Sequence, residues 1–140
     1  MIFQKKHGGS APAALRHVSI GQTRLKDAKN KEISIYTRLD TAYSAIICCA
    51  SAVLEFDGLE VSSNTGHHGV MLDHLAEKLK FPAVRTQALR TLARSRNHNL
   101  YGGAQTTTEM LVFETLTLAE NVMHETEIWL TRQAPAMPIV

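Results

Sequence analysis

Between Leu89 and Gly103 the chain reads LRTLARSRNHNLYGG, which places three arginines, a histidine, two asparagines and a tyrosine within reach of one another. Arginine donates bidentate hydrogen bonds from a planar fork and stays charged at every relevant pH, so it suits a phosphate. Histidine titrates near neutrality and suits proton transfer. On a helix advancing about 100° per residue, Arg90, Arg94, His98 and Tyr101 share one stripe, within about 40° of Arg94. Leu89, Leu92, Ala93 and Leu100 take the opposite side. Arg96 falls about 200° from Arg94, inside that apolar side, where a guanidinium needs a carboxylate, phosphate or carbonyl partner. Two readings follow. In one, Arg96 pairs with a glutamate of the acidic C-terminal helix while Arg90, Arg94 and His98 form a solvated basic edge. In the other, Arg94 or Arg96 holds a phosphate and His98 moves a proton, assisted by Asn97 and Tyr101.

The elements that must position these residues are helical. Leu39, Tyr43, Ile46, Ile47, Ala50, Val53 and Leu54 recur at spacings of three and four and predict a core helix over about 34–55, closed by Asp57 and Gly58. A weaker pattern covers about 13–31. A third helix is expected over about 67–80, and Pro82 separates it from a fourth over about 82–101 that stops at Gly102 and Gly103. Thr106 to Glu109 has the spacing of a capping box for a long fifth helix. No segment alternates like a half-buried strand, and no repeat is visible. The expectation is all-α: an antiparallel helical bundle of about five helices, with a flexible leader over 1–12, one domain over 13–133 and a tail over 134–140.

With 140 residues, 44% hydrophobic and 20% charged, the composition is that of a globular domain. Aromatic residues make up only 6%, too few for an extended base-stacking platform. The charge is segregated: residues 41–77 hold five acidic residues and no Lys or Arg, and residues 78–108 hold six Lys or Arg and no acidic residue. Such blocks either build a basic face or neutralise each other across packed helices. Cys48 and Cys49 are adjacent, which disfavours a disulfide framework and points to a reducing cytoplasm. The apolar run Ala42 to Leu54 falls short of the roughly 20 residues of a membrane span, so no membrane is expected. His67, His68 and His74 lack acidic or cysteine partners at metal-ligand spacing, and His124 to Glu127 lacks a second histidine; no metal or cofactor is expected. Tyr36 and Tyr43 read as core or interface residues, and Trp129 as a packing anchor.

The segments AYSAIICCASAVLEFDGLE, GHHGVMLDHLAEKL and LARSRNHNLYGG, in that order, resemble the HEPN domain family over about residues 41–131. That family consists of small helical bundles, commonly dimeric, found in toxin-antitoxin, defence and RNA-processing systems, often beside a nucleotidyltransferase. The resemblance implies a homodimer, RNA or nucleotide as ligand and a nucleotidyltransferase-type partner protein. Arg96 and Asn97 match the family's Arg-Asn pair, and Tyr101 its terminal tyrosine. Active members cut RNA without metal, by attack of a 2′-hydroxyl on the adjacent phosphate, with a histidine four to six residues beyond the pair. Here Leu100 stands four residues after Arg96, and His98 only two after it. The implied function is therefore a nucleotide- or RNA-binding module using Arg90, Arg94, Arg96 and Asn97, without full ribonuclease chemistry. The alternative is a metal-independent endoribonuclease with Arg96, His98 and Tyr101 at a dimer cleft.

Overall fold

The computed structural model describes residues 3–5, 9–61, 67–97 and 107–133. Among these, five helices carry the chain: α1 Ala11–Ala28, α2 Ile35–Asp57, α3 His67–Leu79, α4 Ala83–Asn97 and α5 Glu109–Gln133. The fold is all-α with bundle character. His98, Tyr101 and the expected stop at Gly102 and Gly103 lie outside the described residues, as does the tail from 134. So does the side chain of Asn97.

Local chemistry accounts for the helix ends. Ser10 accepts a hydrogen bond from Ala13 N at 3.1 Å and starts α1, and Ser34 accepts from Thr37 N at 3.2 Å and starts α2. Helix α5 is capped by Thr108, which accepts from Leu111 N at 3.1 Å. The cap therefore lies two residues beyond Thr106, where the sequence pattern put it. Glu109 then stands in the first turn, where the helix dipole favours an acid. Gly58 closes α2 in the left-handed conformation, φ 71°. Helix α3 ends the same way on Lys80, φ 57°, with Lys80 N donating to Glu77 O and Phe81 N to Ala76 O.

Among the described residues two short strands accompany the five helices. Phe3–Lys5 forms a short strand, β1, antiparallel to β2 at Leu59–Val61, with Gln4 opposite Glu60. Ser10 N donates to Glu55 O at 3.0 Å, so the start of α1 is fastened to the end of α2. A Cβ at Gly9 would stand 1.9 Å from Phe56 O. The glycine there permits close backbone approach rather than looseness. Three residues are too few for periodicity to reveal a strand, and β1 depends on a partner more than fifty residues away.

Helix α2 is the core element and packs against α1, α3 and α5. Ile46, Val53, Leu72, Leu75, Leu89, Val112, Val122 and Leu130 are fully buried around it. At 23 residues α2 is longer than its apolar run, and by length and composition alone it could cross a membrane, yet more than half of its most apolar stretch is buried inside the bundle. Apolarity here answers a demand for three packed neighbours. Buried Thr126 donates to Val122 O at 2.7 Å and Thr115 to Leu111 O at 2.7 Å, which satisfies hydroxyls that burial would otherwise penalise. Trp129 meets Phe56 edge-on, with centroids 5.6 Å apart. Cys48 and Cys49 are free and buried, and burial pushes the Cys49 thiol up to about 12.

Arg38 ties three helices together. It is 6% exposed, donates from Nε to Ala28 O at 2.9 Å at the end of α1, and lies 3.6 Å from Glu109 at the start of α5. This holds the first turn of α5 beside the first turns of α2, where a cleft opens.

Candidate functional site: a cleft between α2, α4 and the start of α5

The cleft measures about 360 Å³, toward the lower end of small-ligand sites. Helix α2 supplies Tyr36, Asp40 and Tyr43, which stand four and three residues apart and so share one face. Helix α4 supplies Leu92, Ser95 and Arg96, and Thr107 and Leu111 close the far side. Tyr43 is buried and Tyr36 is 65% exposed, so one ring supports the floor while the other stands at the rim. Of the core or interface positions expected for these two tyrosines, Tyr43 takes the core and Tyr36 lies outside it.

Arg96 is the centre of the polar contacts. Its Nε donates to Asp40 Oδ1 at 2.8 Å, and its Nη2 lies 2.6 Å from the same oxygen. Its guanidinium carbon stands 4.7 Å from the centroid of the Tyr43 ring, a cation–π distance. The expected anion for this arginine is therefore an aspartate of α2, not a glutamate of α5. A partner 56 positions away leaves no trace in local spacing. Both contacts converge on Oδ1, and among the described residues Asp40 has no second partner.

The polar chain continues from Tyr43. Its hydroxyl lies 3.2 Å from His68 Nδ1, and the His68 ring stands 4.6 Å from that of His67. Burial raises the Tyr43 pKa, partly offset by Arg96. Burial, then His67 and Arg96, lower that of His68, so both groups are neutral near pH 7. Among the described residues no three His, Cys, Asp or Glu side chains gather to hold a metal ion.

The arginines of α4 separate. Leu89, Leu92 and Ala93 are buried, as the helical pattern requires, and Arg90 and Arg94 are exposed on the other side. Arg90 pairs with Asp73 of α3 at 2.9 Å, both about half exposed. Arg94 has no ion pair among the described residues. The segregated charge blocks partly neutralise each other through Arg90–Asp73 and through Lys78, which meets Asp57 at 3.4 Å, and outside those blocks Lys29 meets Glu120 at 3.2 Å. The structure therefore joins Arg96 to Asp40 and Tyr43, while Arg90 and Arg94 stay outside the cleft.

No family model matches this chain, and no curated protein or solved structure matches it either.

Proposed function

We propose that the chain is a HEPN-like nucleotide- or RNA-binding module of a toxin-antitoxin, defence or RNA-processing system, working in the cytoplasm as a homodimer, without full ribonuclease chemistry. The observation that carries this reading is the cleft itself, where an exposed tyrosine, a buried tyrosine, Arg96 and Asp40 surround a space of ligand size. The cleft's charges cancel in the Arg96–Asp40 pair, so it suits the uncharged part of a ligand rather than its phosphate. Arg94, exposed on the outer side of α4, supplies the cation for a backbone phosphate. Arg90 adds to it by exchange from its solvent-exposed pair with Asp73, which is worth little to stability. A nucleotidyltransferase-type protein is the partner that the family resemblance implies.

Titration of a labelled single-stranded RNA against salt tests the reading. Binding is expected at low salt, and Arg94→Ala should weaken it alike across sequences and lower the salt slope by about 1. Undetectable binding at low salt by the folded protein rules the reading out, and cleavage of the RNA in the presence of chelator would favour the ribonuclease alternative.

A further inference from the structure

The Arg96–Asp40 contact is lopsided: Nε and Nη2 both approach Oδ1. The carboxylate is 57% exposed and lines the cleft, and its second oxygen, Oδ2, has no partner among the described residues. A carboxylate oxygen accepts hydrogen bonds and donates none. Arg96 cancels the charge of Asp40, so a cationic ligand gains little by entering. An uncharged ligand with an N–H to donate is favoured. The exposed ring of Tyr36 at the rim and the apolar side chains of Leu92 and Leu111 suit something flat.

Resting on the RNA- or nucleotide-binding reading above, we infer that the cleft takes one unpaired nucleobase bearing an exocyclic amine, the amine donating to Asp40 Oδ2 and the ring packing against Tyr36. Adenine and cytosine carry such an amine. Uracil and hypoxanthine place a carbonyl oxygen there, which meets the carboxylate as acceptor against acceptor. A single rim tyrosine serves a single ring, which agrees with the scarcity of aromatic residues in the chain.

The test uses two matched pairs of short single-stranded RNAs, oligocytidylate against oligouridylate and oligoadenylate against oligoinosinate, with the full-length protein at low salt. The amine-bearing member of each pair should bind roughly tenfold more tightly, the size expected for one hydrogen bond to a charged group. In Asp40→Asn the amide oxygen still accepts from Arg96, which turns the amide N–H₂ toward the ligand, so the preference should reverse toward uracil and hypoxanthine. Tyr36→Ala should weaken all four about equally. Circular dichroism establishes that each variant keeps its helices. Equal binding of both members of each pair by the native protein overturns the inference while leaving RNA binding in place. A preference that survives Asp40→Asn overturns it as well. If none of the four RNAs binds, the RNA-binding reading fails with it.

Discussion

The two ends of α2 each carry an aspartate beside a cation, yet they are built for different work. At the N-terminal end Asp40 is 57% exposed, meets Arg96 through one oxygen and borders an open cleft. At the C-terminal end Asp57 is 18% exposed and lies 3.5 Å from buried His74 and 3.4 Å from Lys78, just before the left-handed turn at Gly58. Similar residue types thus give an open, half-used acceptor at one end and an enclosed fastening between α2 and α3 at the other. Burial makes the difference. A charge that water still reaches contributes little to stability and remains available, whereas an enclosed one is costly to leave without its partners.

Neutralising each aspartate in turn should give unequal losses at the two ends. Asp57→Asn should lower unfolding stability in urea by about 1–2 kcal/mol, since Lys78 loses its anion at a half-enclosed site. Asp40→Asn should cost less than about 0.5 kcal/mol, as expected for an exposed pair, and show its effect in ligand preference. Equal losses at the two sites would erase the distinction.

A smaller effect concerns pH. At the Asp57 end, burial lowers the pKa of His74 more than Asp57 raises it. At the cleft end, burial lowers that of His68. A lowered folded-state pKa means that the unfolded chain binds protons first. Stability from these groups is full above the ordinary value of 6.5 and is lost as the pH falls through the folded values. Urea midpoints should fall between about pH 7.5 and about pH 5.5, and His74→Gln should flatten part of that fall. An unchanged slope in His74→Gln would mean that this histidine does not titrate on unfolding.

The smallest change compares how α2 and α3 end. Gly58 takes its left-handed φ without strain, but Lys80 takes φ 57° with a Cβ. Lys80→Gly should therefore raise stability by about 0.5 kcal/mol, read as a higher urea midpoint at constant slope.

Much of the bundle was legible because helices are encoded locally. The apolar stripe of α2, its Asp57-Gly58 ending, Pro82 between α3 and α4, and the burial of Leu89, Leu92 and Ala93 all follow from spacings of three and four. The small errors came where two local signals competed, as with Thr106 and Thr108 for the cap of α5. The site was less legible. The set Arg90, Arg94 and Arg96 reads as one cluster along the chain, yet 200° of helix divides it, and Asp73 and Asp40 come from two other helices.

Spacing along the chain set the helical class, the faces of α2 and α4, and the need of Arg96, placed on an apolar face, for a carboxylate, phosphate or carbonyl partner. Periodicity and the cost of burying charge suffice for that. Which partner it takes depends on how the helices assemble, since Asp40 reaches Arg96 by packing across 56 positions. The same packing set Tyr36 and Tyr43 around a cleft, paired β1 with β2, and gave Asp40 and Asp57 opposite exposures. Contacts between distant segments depend on how whole helices assemble, and no local spacing records that.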